Sequence, residues 1–334
     1  MRHPNGLCLL DRMRIRLGKN DFRQWFRESL KQNAKTATQA LNSRRLLFPS
    51  LFLLLPDIEE HNLYSHLNEQ TACACRFCMS RIMKDSKPDL AFLTDRFQER
   101  RILRWVFTTG ADWDAPDEDT DAYDAVMDAA ASRLVTVCKD KTILPAVVNL
   151  IFRRNRRNLL VHDLVWCLYK ACDPDSLGLV AAYLLSEDST DRELACKILH
   201  LPFDERYDPA AARRQYNDYM AWLNENKDCI CFTGESFQLT SNPRPVAVNL
   251  EAKYLGKKIS PEDGKWLEPL TPAEKEKLDL FRSVPDADRE VLAAYSRYLY
   301  RRNRRSWNQW MQSRHEDQIR IAAAGLEALH DHYK

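Results

Sequence analysis

The chain has 334 residues, 45% hydrophobic and 29% charged, which is enough to bury a core and more than one core usually holds, since single cores stop growing near about 250 residues. Lys plus Arg number 50 against 48 Asp plus Glu, so the formal charge of +2 selects neither acidic nor basic partners. Only 8 glycines are present and no two are separated by a single residue, which excludes the dinucleotide fingerprint, the Walker A loop and the Gly-x-Ser-x-Gly nucleophile elbow.

After Met1-Arg2-His3-Pro4 only Gly6-Leu7-Cys8-Leu9-Leu10 runs without charge, too short for a signal-peptide apolar core, so the chain is expected to be cytoplasmic with its cysteines reduced. The first fifty residues hold eleven Lys/Arg and three Asp/Glu, and a helix predicted from Asp21 to Leu41 puts Phe22, Trp25, Phe26 and Leu30 on one side. The apolar run Leu46 to Pro56 is about half the ~20 residues of a bilayer span and reads as a buried helix, so no membrane partner is expected. A helix over Thr71 to Met83 follows, then one bracketed by Pro88 and Gly110.

The stretch Ala111 to Asp121 carries Asp112, Asp114, Asp117, Glu118, Asp119 and Asp121 with no basic residue, and reads as an acidic loop leading into a helix with Ala122, Val126, Ala129, Leu134 and Val137. From Asp140 the pattern repeats. Helices are predicted over Lys141 to Arg154 and Asn158 to Ala171, a third opens at Asp173-Pro174, and a fourth opens at Thr190-x-x-Glu193, which has capping-box form. The first and third starts lie about 33 residues apart, the spacing of helix-pair repeats. The segment from Asp173 to Leu201 resembles a HEAT-type repeat, through Asp173-Pro174, the acidic turn Glu187-Asp188, and Arg192 and Ala195 in the second helix. The resemblance implies an α-solenoid and speaks to architecture more than to function.

Another helix opens at Asp208-Pro209 with Tyr216, Tyr219, Met220 and Leu223 on one side. From Cys229 to about Leu255 the period changes to two, through Cys229, Cys231, Phe237 and Leu239 and through Val246, Val248 and Leu250, with Asn242-Pro243-Arg244-Pro245 as the break of a hairpin. Gly256 to Pro269 is a connection, Thr271-Pro272-Ala273-Glu274 a second capping box, and Pro285 opens a long basic and aromatic helical segment. The expected fold is therefore all-α: a HEAT-like α-solenoid of stacked helix pairs with a small β-hairpin insertion. Its regions are an N-terminal helical part (1–87), the repeats (88–226), the insertion (227–270) and a C-terminal helical segment (271–334).

Two identical basic clusters stand out as candidate binding residues, Arg153-Arg154-Asn155-Arg156-Arg157 and Arg301-Arg302-Asn303-Arg304-Arg305. Guanidinium forks bind phosphate bidentately, and Tyr298, Tyr300, Trp307 and Trp310 lie near the second cluster to stack on bases if exposed. The alternative reading is that these cations complement helix C-termini or pair internally with the acidic stretch. Cys73-x-Cys75-x-x-Cys78 and Cys229-x-Cys231 supply soft ligands, but Cys73 and Cys75 project about 200° apart on a helix, so packing is expected and no metal is assigned. Asp117-x-Asp119-x-Asp121 lacks the glycine and the terminal glutamate of a calcium loop. His162 and His200 are expected to be hydrogen-bonded core residues, and no catalytic set can be assembled, so neither catalytic residue nor cofactor is assigned.

Asp112-Trp113-Asp114, with Arg153 downstream, is similar to the Trp-Trp-Asp element of the alkylpurine DNA glycosylases, which are HEAT-like solenoids, although Ala111-Asp112 stands where the first aromatic would be. The leading expectation is a non-catalytic protein-protein interaction or scaffolding module with an unidentified protein partner. The alternative is a nucleic-acid-binding solenoid.

Overall fold

The computed structural model describes residues 6–82, 95–113, 120–206 and 208–332, and they are mostly helical, with sixteen α-helices and one two-stranded hairpin among them. The chain divides between Ala171 and Cys172 into two units. No helix among the described residues is long and apolar enough to cross a membrane.

The first unit opens with α1 (Leu9–Leu17) and α2 (Lys19–Leu41). Helix α2 breaks its regular geometry at Asn33, and its predicted apolar side is seated through Phe22 and Phe26, both buried. Helix α3 (Phe48–Glu60) is the apolar run of the sequence, with Pro49 in its first turn, where a missing N–H costs nothing. The buried carboxylate of Asp11 accepts from the Leu47 N–H and from the Ser50 hydroxyl (2.6 Å), so the polar groups at the start of α3 are satisfied inside the unit. Helices α4 (Glu69–Ile82), α5 (Arg96–Gly110), α6 (Thr120–Thr136), α7 (Leu144–Asn155) and α8 (His162–Lys170) complete it. Phe48 packs against Phe52, Trp105 and Tyr123, and Gly110 lets α5 approach this cluster, because a Cβ there would meet Met127, Phe48 and Tyr123 within 3 Å.

In the second unit α9 (Pro174–Ala181), a 3-10 turn over Ala182–Leu185 and α10 (Ser189–Leu199) follow one another as a helix pair. The capping box expected at Thr190 is not made. Asp188 is the N-cap instead, accepting from the Thr190 N–H at 2.9 Å, because its extended backbone places its carboxylate two residues ahead of that donor. Helix α11 (Pro209–Asn226) is capped by Asp208 as its sequence predicts.

The extended region is smaller than its period suggests. Strands β1 (Ile230–Phe232) and β2 (Val246–Val248) pair antiparallel over three residues, with Cys231 opposite Ala247. Leu250–Leu255 is helix α12 rather than strand, opened by Asn249, whose side chain accepts from the Ala252 N–H. In α13 (Pro272–Ser283) both halves of the Thr271–Glu274 capping box are present. The basic C-terminal segment is three helices, α14 (Asp286–Arg302), α15 (Arg304–Gln312) and α16 (His315–His332), the first two separated where Asn303 turns extended and caps α15 through its side chain. Tyr254, Phe281, Leu292 and Trp310 centre the core here, with the Tyr254 hydroxyl donating to Gln318 at 2.6 Å.

Candidate functional site

The sequence-predicted candidates separate into buried and exposed members. Arg153–Arg157 ends α7 in the first unit, and Arg301–Arg305 spans the α14–α15 break in the second. Arg154 is 3% exposed, with Nη2 2.9 Å from Asp124 Oδ1 and Nη1 2.6 Å from Asp128 Oδ1. It is therefore an internal counter-ion rather than a surface phosphate ligand: α7 turns its Phe152–Arg154 side inward against the acidic side of α6. Burial pushes the Asp128 carboxyl up to about 6 against the opposing pull of Arg154. Arg153 donates to the Trp113 carbonyl at 3.3 Å, while Arg156 and Arg157 lie exposed beyond the helix end.

In the second cluster all four arginines are exposed. Arg301 donates to the Asn224 carbonyl, Arg302 to the Tyr298 hydroxyl at 3.0 Å, and Arg304 stacks over the Tyr300 ring at 3.2 Å. The neighbouring tryptophans do not serve as open platforms. Trp310 is buried and bonded to the Gln318 carbonyl, and the Trp307 indole N–H donates to Ser296 at 2.8 Å.

Cys73, Cys75 and Cys78 are buried on α4, where burial raises each thiol above its ordinary pKa. Cys229 and Cys231 belong to the second unit, and among the described residues no group of three or more His, Cys, Asp or Glu is placed to hold a metal ion. Asp112 and Asp121 are exposed, whereas Asp114, Asp117, Glu118 and Asp119, and with them the calcium-loop reading, lie outside the described residues. Trp113 lies under the Arg14 guanidinium at 4.5 Å, covering the side chain that bonds Ser50. The two histidines depart from expectation. His162 is exposed, because the first turn of α8 faces outward, and His200 is not within a helix but ends α10 in the left-handed region (φ 55°).

A groove of about 790 Å³, which no sequence motif marks, lies within the second unit between the end of α10, the 200–206 turn, α11 and the residues entering β2. Its formation starts at His200. The left-handed residue sends the chain away from α10, Leu201 closes the helix by donating to the Cys196 carbonyl, and Gln215 of α11 fastens the turn by donating to the Pro202 carbonyl at 2.9 Å. Asp208 then starts α11 with a new direction, leaving a trough between the two helices. Tyr219 is buried on its floor, and Trp222, 36% exposed, lies 5.5 Å away ring to ring. Leu199, Phe203 and Val246 add apolar surface, and the His200 Nδ1 has no hydrogen-bond partner among the described residues.

Two of the arginines lining the groove are engaged by the chain itself. Arg192 donates to the Ser186 and Glu187 carbonyls, and Arg214 faces Asp208 at 3.7 Å. Arg206, Arg244, Asp204 and Asp218 are exposed, and none of them forms an ion pair among the described residues. Apolar floor edged by guanidinium and carboxylate groups is the chemistry of recognition. One sequence signal pointed here: Trp222 follows Tyr219 by three positions and precedes Leu223, so it falls at the margin of the buried stripe of α11.

The fold and groove define a mostly helical protein with a partly apolar, charge-rimmed cleft on its second unit. No protein-family model, curated protein or solved structure matches the chain.

Proposed function

We propose that this protein is a protein-protein interaction module, a scaffold of the HEAT-like solenoid type, that receives its partner in the groove between α10 and α11. The observation that carries this reading is the groove itself: about 790 Å³ with Trp222 standing 36% exposed beside a buried Tyr219. A half-exposed tryptophan in a cleft edged by arginines has the composition of a protein-binding hot spot. The resemblance of α9–α10 to a HEAT helix pair supports the same role, since such pairs use the helices lining a concave side to hold partners. The test is affinity capture from cell extract by the full chain and by its Trp222→Glu variant in parallel, followed by hydrogen exchange with any captured protein. A protein kept by the unaltered chain, lost by the variant and protecting residues 199–222 is the expected result. Identical captured sets would overturn it.

A second reading, nucleic-acid binding, is favoured by the exposed arginines 301, 302, 304 and 305 and the Arg304–Tyr300 stack. With Arg154 turned inward, the charge for it comes from this cluster. Titration of duplex DNA and structured RNA across salt tests it, a slope of about 0.9 per phosphate contact on duplex DNA being the expected signature. Absence of binding at low salt would dismiss it.

A further inference from the structure

The geometry points to strand addition as the way the groove holds its partner: an extended peptide segment, apolar at alternate positions and acidic at one end, pairs with the outer edge of β2. This rests on the groove being a protein-binding site and adds what kind of segment it takes.

The hairpin has two edges, and only one is closed by the chain itself. Outside β1, the Phe232 N–H donates to the Pro261 carbonyl and the Ile259 N–H to the Asp228 carbonyl. Outside β2 the alternation of an antiparallel ladder decides what is presented. The Asn249 N–H donates to the Cys229 carbonyl and the Thr233 N–H to the Pro245 carbonyl, so with Cys231 opposite Ala247 the hydrogen-bonded pairs fall at every second residue. Val246 and Val248 therefore turn their N–H and C=O groups away from β1, and neither N–H has a partner on that side among the described residues. Unpaired edge groups are a template for another strand. Val246 also lines the groove, together with Arg244 and Pro245 just before it.

The groove's other features fit the same occupant. In a strand, alternate side chains point to opposite faces, so one set would rest on the apolar floor at Tyr219 and Trp222 while the other reaches the rim. The Arg244 main chain is already engaged, its N–H by Glu235 and its carbonyl by Thr233, yet its guanidinium is exposed and outside any ion pair among the described residues. It stands two residues before Val246, where a paired segment would end, and selects an acidic side chain there.

The probe is a library of random twelve-residue peptides selected against the full chain, the enriched peptides then being measured by fluorescence anisotropy. Enrichment of alternating apolar residues flanked by Asp or Glu is expected. Val246→Pro removes one outward donor without touching the ladder, because proline is tolerated where a strand N–H faces outward. It should weaken binding about tenfold, as loss of a main-chain hydrogen bond and its paired acceptor requires, while Val246→Ala binds within about twofold. Arg244→Glu should weaken binding and be rescued by peptides whose acidic residue is changed to lysine. Should Val246→Pro fail to fold, N-methylation of the peptide at alternate positions reads the same hydrogen bonds from the other side. Peptides lost on Trp222→Ala but indifferent to Val246→Pro and to N-methylation overturn strand addition and leave the groove standing. If no peptide is enriched, both fall.

Discussion

Arg154 Nη1 lies 2.6 Å from Asp128 Oδ1, and the arginine that carries it is 3% exposed, so one arginine of a basic cluster is an interior counter-ion in the first unit. Its Nε has no partner among the described residues, which leaves the pair with Asp124 and Asp128 as the main compensation for a buried charge. Removing one partner of a buried pair strands the other, at a cost of about 3–5 kcal/mol. Arg154→Gln is therefore expected to destabilise the first unit by that order in urea unfolding, whereas Arg305→Gln, exposed near the start of α15, leaves the midpoint unchanged. Equal midpoints for the two variants would contradict the internal role.

Two aspartates of the same unit should titrate with opposite sign. Burial opposes ionisation of Asp140, but the Arg100 side chain at 2.8 Å and the Thr142 hydroxyl and N–H outweigh it and hold the carboxyl down at about 2. Its contribution is present above the ordinary value of 3.8 and is lost as pH falls through about 2. Burial raises Asp128 to about 6, so folding takes up a proton between 3.8 and about 6 and this contribution declines as pH rises across that window. Unfolding free energies of Asp140→Asn and Asp128→Asn against pH, each subtracted from the unaltered chain, should slope in opposite directions. Parallel curves would refute the assignment.

Gly256 ends α12 in the left-handed region at φ 63°, and a Cβ there would run into the Tyr300 ring. Gly234 is also left-handed, at φ 86°, but faces open space. Strain alone costs about 1 kcal/mol at such positions, and overpacking adds about 1–3 kcal/mol. Gly256→Ala should therefore lower the thermal midpoint well beyond Gly234→Ala, and Tyr300→Ala should recover part of that loss in the double variant. Additive losses would show that the ring is not the obstacle.

The thiols offer a count. Cys73, Cys75, Cys78, Cys167, Cys196 and Cys229 are buried, and burial pushes Cys167 up to about 12 and Cys229 to about 11. A thiol reagent at pH 8 should leave these six unmodified in the native protein and label all ten after denaturation, read by mass spectrometry of the digest. Rapid native labelling of Cys75 or Cys78 would mean that α4 opens locally.

Local signals in the sequence carried most of the secondary structure. The apolar run became α3, Asp208-Pro209 and Thr271-Pro272-Ala273-Glu274 cap α11 and α13, and proline marked helix starts as its fixed φ requires. Errors arose where two local options compete within a few residues. Asp188 outbids Thr190 for the N-cap of α10, and Leu250–Leu255, read with a period of two, goes to helix once Asn249 caps it. The basic motif was legible as charge but not as location, since Arg153 and Arg154 are neighbours about 100° apart on the last turn of α7, where only Arg154 faces inward, while Arg156 and Arg157 lie past its end.

By itself, the sequence determined that this is a mostly helical chain without the glycine loops of common nucleotide enzymes, and it set where most helices begin, because capping and proline act within about four residues and apolar period within a single helix. Only the tertiary structure decided which charges face inward and where the chain leaves a cleft. Arg154 meets Asp124 and Asp128 across 30 and 26 residues, and Trp222 and Val246 line one groove from different elements. Such contacts depend on how helices pack, and packing is fixed by the fit of whole faces, a property that no short window of sequence contains.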